Sequence, residues 1–324
     1  MQAMPHLVKL PLAATFNIAA PAAATIIGFA DGGDPFIPAT SPAYVFRKEF
    51  VSEFRAYLHR PDGDAFYVTG PTGSGKTSGV TEILGRLNWP TQQVTAHGRM
   101  ELTDLIGHHA LLSESPGQAP TMRFMHGPLA IAMREGHVLL INEVDMMDPA
   151  ELSGLNDVLE GRPLVIAQNA GEVISPHPMF RVVMTGNSVG QGDATGLYQG
   201  IAIQNIAAMD RYRVTVVDYP EEAVEARILE QAFPSLPDRI RAAMIRVANQ
   251  IRRLFVGEDG DGGQISVTMS TRTLKRWANM ACTFKGHPNA LRYGLEIALL
   301  RRAKPEEVEA LTRIAADVFG DLWS

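Results

Sequence analysis

A single cysteine, Cys282, stands in 324 residues, so no disulfide can form within the chain. That suits a reducing compartment, and a small buried apolar role is expected for the thiol. A basic surplus is also missing: 29 Lys and Arg face 35 Asp and Glu, for a net charge of −6. Proteins that work mainly on a nucleic-acid backbone carry excess positive charge, so this balance argues against that class. Long apolar runs are scarce. The nearest is PLAATFNIAAPAAATIIGFA (11–30), which faintly resembles a secretory leader after Lys9. Asn17 and Pro21 interrupt this alanine-rich stretch, and neither a leader nor a membrane anchor is expected. The nine histidines show no zinc-ligand spacing with thiols or carboxylates, and adjacent His108 and His109 point apart on any regular element. GEDGDGG (257–263) has the acids of a calcium loop, but the twelfth position from Asp259 is Ser270, where a bidentate Glu is needed. A linker is expected there.

What is present is text for a buried core. Residues 1–45 are rich in Pro, Ala and Gly and read as an extended N-terminal segment with little structure of its own. From about residue 46, apolar β-type runs alternate with helical stretches: DAFYVTG (64–70), QQVTA (92–96), HVLLINE (137–143), FRVVMTGN (180–187) and RVTVVDY (213–219). Near-continuous apolar strands separated by helices indicate a parallel sheet covered on both faces. After Pro220 the strand signal stops. Helices are predicted over 220–233, 238–256, 271–283, 288–303 and from about 305. The expected fold class is therefore α/β. The sequence divides into an N-terminal segment (1–45), a nucleotide-binding α/β domain (46–219) and a small helical lid (220–324).

The strongest motif is GPTGSGKT (70–77), which fits G-x-x-x-x-G-K-[ST] in full, after a strand and before a helix. Gly70, Pro71, Thr72, Gly73, Ser74, Gly75, Lys76 and Thr77 are the expected phosphate-binding residues. Glycines let the backbone wrap a phosphate, and the helix N-terminus faces the anion. Lys76 would neutralise the β- and γ-phosphates of ATP, and Thr77 would hold Mg²⁺. HVLLINEVD supplies a second strand with an acidic end. Glu143 is placed to activate the attacking water. The position before it, where a metal-positioning Asp is expected, is Asn142. Its carbonyl can accept from a metal-bound water but carries no charge. Asp145 lies nearby, and strand geometry alone does not make it a substitute. Asn187 ends a third strand, at the edge where open parallel sheets bind ligands. ATP is an intracellular substrate, so with the lone cysteine a cytoplasmic location is expected.

The order of the P-loop, Glu143, Asn187, the Asp-Arg pair of AAMDRYRV (207–214) and STRTLKRW (270–277) resembles the AAA+ ATPases. DLIGHHALL through DVLEG (104–161) resembles the MoxR branch. Residues 174–214 are similar to the CobS-like group, the ATPase subunits of aerobic cobaltochelatase. The resemblance covers roughly residues 25–320. It implies a homo-oligomeric ring, commonly a hexamer, with ATP at subunit interfaces. It makes Arg211 the arginine finger, ahead of Arg213, and Arg272 the lid arginine that senses the γ-phosphate. It also implies a partner protein carrying a von Willebrand A-type domain. PLVIAQNAGEVISPH (163–177) reads as a β-hairpin turning near Asn169–Gly171, which in this branch projects towards clients. Gly190, Gly192, Gly196 and Gly200 loosen the following loop, where Tyr198 is a candidate partner contact as much as a packing residue. Three functions stand at this point. One is a ring motor that remodels a partner complex, as a chaperone or as a chelatase subunit. The second is an ATP-gated scaffold, slow in hydrolysis because of Asn142. The third, disfavoured by charge, is a nucleic-acid motor.

Overall fold

The computed structural model describes residues 6–113, 119–190, 192, 200–257, 263 and 265–323. Gly196, Tyr198 and residues 258–262 of the expected linker lie outside the described residues. In chain order the strands are β1 (Leu7–Pro11), β2 (Thr25–Phe29), β3 (Ala65–Thr69), β4 (Thr91–Thr95), β5 (Gly107–Leu112), β6 (Thr121–His126), β7 (Val138–Asn142), β8 (Leu164–Ile166), β9 (Glu172–Ile174), β10 (Arg181–Thr185) and β11 (Tyr212–Val216). The five runs read as core strands form one sheet in the order β11-β3-β10-β7-β4. Every pairing in it is parallel.

Period-two alternation sends successive side chains to opposite faces. Tyr67, Leu139, Ile141, Val182 and Met184 enter one apolar layer with Leu129 and Met133. Phe66, Val68, Val138, Leu140 and Val183 enter the other, with Phe54, Ile83 and Trp89. Both faces are therefore dry, which is why these strands read as unbroken apolar text. The second layer is closed by the N-terminal segment, and here the expectation of little structure is corrected. β1 and β2 pair antiparallel from Leu7↔Phe29 to Pro11↔Thr25, joined through the helix Leu12–Phe16. Phe16, Ile26 and Phe29 are buried, and Phe29 meets Trp89 edge to face at 5.2 Å. Each such side chain contributes roughly 1.5–3 kcal/mol on burial. With Leu12, these large residues spaced through alanine are enough to anchor the segment, though too few to show a period.

The hairpin expected over 163–177 is β8 paired with β9. Val165 and Val173 face each other on it and are about three-fifths exposed. A second hairpin, β5 with β6, was not legible in the sequence. With three histidines and mostly exposed side chains, its strands have no buried face to impose an apolar alternation. The helices Glu222–Ala232, Asp238–Val256, Thr271–Thr283, Ala290–Ala298 and Pro305–Phe319 close around a core of their own. The guanidinium of Arg252 donates to both oxygens of Glu225, at 2.7 and 2.8 Å, inside that core. Glu225 also accepts from the Thr271 hydroxyl at 2.8 Å. This ties three lid helices together beside Arg272. No described helix is long and apolar enough to cross a membrane.

Candidate active site

The parallel register brings the C-terminal ends of β3, β7 and β10 to one edge of the sheet, and the site is built there. β3 runs into the P-loop, and Gly70 holds φ at 140°. A Cβ at Gly70 would lie 2.2 Å from the Val217 carbonyl, and one at Gly73 2.5 Å from Ser270 Cβ. Side chains at either position would push the loop away from β11 or from the lid. The loop is held from outside as well. Arg47 donates to the Ser74 carbonyl, and the Tyr219 hydroxyl donates to the Thr72 carbonyl at 3.1 Å.

Lys76 opens the helix Lys76–Arg86 and is only 8% exposed. Its ammonium donates to the carbonyls of Gly70 at 2.6 Å and Pro71 at 3.0 Å, and to Asn187 Oδ1 at 2.9 Å. Burial pushes its pKa down to about 8, against the opposing pull of Asp145 and Glu143, while Arg272 adds to the depression. The Thr77 hydroxyl donates to Asn142 Oδ1 at 2.8 Å, and the Thr185 hydroxyl donates to the same oxygen at 3.3 Å. Asn142 Nδ2 donates to the Val94 carbonyl at 3.3 Å. The amide therefore presents its oxygen to Thr77 and its nitrogen to β4. Glu143 turns out of β7 at φ 54°, in the left-handed region, with its N–H on the Thr185 hydroxyl at 3.3 Å. That conformation is uncommon for a residue with a side chain and is concentrated at functional sites. Here it leaves the carboxyl exposed at the strand end.

Lys76, Thr77, Glu143, Asn187 and Arg272 line one cavity of about 90 Å³. The sequence placed each of them in the site separately, and the structure brings these five together. Arg211 is elsewhere. Its carbonyl accepts from Ala65, at the start of β3, whereas the P-loop leaves the end of β3. Five residues of strand put about 16 Å between those edges. The Arg211 guanidinium donates to Glu160 Oε1 at 2.7 and 3.1 Å and to the Ala207 carbonyl at 2.7 Å. Arg213 is held by Asp64 at 2.9 Å and by the Arg60 carbonyl at 3.1 Å, also away from the cavity.

Sequence reasoning missed two parts of the site. A second cavity, of about 290 Å³, adjoins the P-loop between Tyr44, Val45, Arg47, Pro220, Ile228 and Lys275. An apolar slot with cations at its rim, next to a phosphate loop, suits a purine base and ribose. These residues come from three separate stretches with no shared motif. The other part is Asp145. It is fully buried, and its Oδ2 accepts from the N–H groups of Asn187 at 2.6 Å and Ser188 at 3.1 Å.

The chain matches the family profile of the AAA domain (dynein-related subfamily) over residues 65–198. It matches the CbbQ/NirQ/NorQ C-terminal profile over residues 225–318. It is 32% identical over 258 residues to the aerobic cobaltochelatase subunit CobS of Sinorhizobium sp, spanning 78% of this chain and 75% of that one. An uncharacterized protein of Staphylococcus haemolyticus is 31% identical over 185 residues, covering 57% of this chain and 67% of its own length. Among solved structures, a RuvB variant from Thermotoga maritima aligns over 80% of this chain and 73% of its own, at 15% identity and a TM-score of 0.49.

Proposed function

Because this chain belongs to the CobS-like, MoxR-type AAA+ ATPases, we propose that it hydrolyses ATP at sites shared between copies in a ring and uses the cycle to remodel a partner complex. The observation that carries this reading is the placement of Arg211. The cavity holds a phosphate lysine, a water-activating carboxylate and a lid arginine, while the expected finger stands at the opposite edge of the same sheet. A second copy docked edge to edge would bring its own Arg211 to this cavity. There it would stabilise charge on the transferring phosphoryl group. The ring is expected to be a hexamer in the cytoplasm. Its partner is expected to carry a von Willebrand A-type domain, and a chelatase large subunit is one candidate.

Within one site, incoming phosphates replace the Gly70 and Pro71 carbonyls as partners of Lys76. Asn187, fixed against Lys76, orients the attacking water. Glu143 accepts that water's proton. Arg272, carried on the lid, couples phosphate occupancy to lid position. The donors at the strand end fit Mg²⁺ held largely through water. Thr77 and Asn142 offer neutral oxygens 2.8 Å from each other, and Glu143 is the carboxylate on the cavity among the described residues. Such a site suits a cation that keeps several waters and takes phosphate oxygens as ligands. When bound, the metal neutralises charge on the β- and γ-phosphates.

A mixing experiment tests the shared site. Lys76→Ala and Arg211→Ala chains, each inactive alone, are expected to recover part of the ATPase activity when combined. The mixture contains interfaces with one intact P-loop and one intact finger. Specific activity of the wild type is expected to rise with protein concentration before levelling off. A mixture of folded variants that stays as inactive as its components would sink the shared-site reading.

A second reading, an ATP-gated scaffold, is favoured by position 142. The oxygen that would face the metal is an amide already engaged by two hydroxyls. Asn142→Asp is expected to lower the Mg²⁺ concentration for half-maximal turnover several-fold, read from ATPase titrations. Wild-type turnover far below that of Asn142→Asp at saturating Mg²⁺ would favour the scaffold. Equal turnover would favour the motor.

A further inference from the structure

Asp145 is a buried carboxylate with no place in the chemistry set out above. It does not line the cavity with Thr77 and Glu143, and it is 0% exposed. Contact with a hydrated cation at Thr77 is therefore closed to it, although it stands three residues past the missing charge at 142. Its Oδ2 instead takes two backbone N–H groups from the turn that follows β10. Its Oδ1 is buried without a hydrogen-bond partner among the described residues. The same turn is clamped from the other side. The Ser188 carbonyl accepts from the Tyr67 hydroxyl at 2.8 Å and the Thr69 hydroxyl at 3.0 Å. Gly186 sits between the clamps: a Cβ there would lie 2.0 Å from the Tyr67 hydroxyl and 3.2 Å from Asp145 Cγ. Only glycine lets the turn lie this close to both.

We propose that Asp145 is a positioning residue for hydrolysis, which locks the backbone of Asn187 so that its side chain meets Lys76 beside the reacting phosphate. Hydrogen bonds from N–H groups to a buried carboxylate are shorter and stronger than neutral ones. Two of them on consecutive residues leave the turn no freedom to rotate. The strand-end pattern here thus supplies its negative charge behind the turn that carries Asn187. The inference rests on the role given to Asn187 above.

The test is steady-state ATPase kinetics and fluorescent-nucleotide binding on Asp145→Asn, Asn187→Ala and their combination. Asp145→Asn keeps the shape and one acceptor oxygen. It is expected to lower kcat about tenfold or more with nucleotide affinity near wild type, a split that a merely loosened fold does not produce. Asn187→Ala is expected to lower kcat similarly. The double variant should fall no further than the worse single one, because both changes remove one arrangement. Tyr67→Phe releases the turn from the opposite clamp and is expected to lower kcat by a smaller factor, again with affinity kept. It serves in place of Asp145→Asn if that variant does not fold. Losses that multiply in the double variant would overturn the proposal, as would wild-type turnover in Asp145→Asn or, where it stands in, in Tyr67→Phe. Wild-type turnover in Asn187→Ala would instead overturn the role of Asn187, and the proposal with it.

Discussion

Glu143→Gln is expected to lower ATP turnover by roughly 10²–10⁴-fold, the range for loss of a positioned general base, while nucleotide binding stays close to wild type. The substitution keeps shape and removes only the ability to take a proton. Glu143 leaves β7 through a left-handed residue, and no hydrogen bond of its side chain ties it elsewhere among the described residues. Gln fits the same turn, so the fold and the P-loop are untouched. Single-turnover assays with bound ATP separate the two quantities. Turnover that survives Glu143→Gln would mean that the proton leaves by another route, through the phosphate itself. A collapse in ATP affinity of the same size would mean that Glu143 acts on the bound nucleotide and its metal, not on water.

Arg211→Ala is expected to lower turnover by roughly 10³-fold or more at protein concentrations where the wild type is assembled, the scale of an arginine finger. ATP affinity should change far less. A structural explanation can be weighed against this. Arg211 and Glu160 are each about one-third exposed, and ion pairs at such positions contribute little to stability. Hydrogen bonding from Arg211 holds the Glu160 carboxyl below the usual range, which marks a formed pair, not a strong one. Unfolding is therefore not expected. Arg213→Ala provides the contrast: it should leave turnover nearly unchanged, since Arg213 is engaged by Asp64 and by the Arg60 and Pro61 carbonyls at the base of β3. Equal losses in the two variants would remove the special standing of Arg211. A thermal melt shifted by many degrees in Arg211→Ala would reassign its effect to stability.

Some of this was readable from the chain alone. GPTGSGKT is contiguous, so its backbone chemistry needs no distant partner to be recognised. The five core strands were found within three residues at each end; the central three, β3, β7 and β10, are buried on both faces and so read as nearly unbroken apolar runs. The lid helices Asp238–Val256 and Thr271–Thr283 fell where the helical spacing put them. Glu143 and Asn187 were picked out because strand ends at one sheet edge are where ligands bind, and the structure places both on the Lys76 cavity.

The rest depended on contacts between distant segments. Lys76 and Asn187 are 111 residues apart in sequence and 2.9 Å apart in space. The sheet order β11-β3-β10-β7-β4, which no local pattern states, made them neighbours. The same order set Arg211 at the start of β3, out of reach of its own P-loop. The N-terminal segment stayed unread because four anchors among alanines carry no period, and only the folded apolar layer around Trp89 gives them a place to bury. Asp145 looked like a spare acid beside an absent one. Its place became visible only once two backbone amides from the turn after β10 closed on it, since burial and hydrogen-bond partners belong to the folded chain and not to the residue. The sequence determined that there is a phosphate loop, a parallel sheet and a lid. Tertiary structure decided which side chains share the cavity, because that depends on strand order and on the direction in which each strand leaves the sheet.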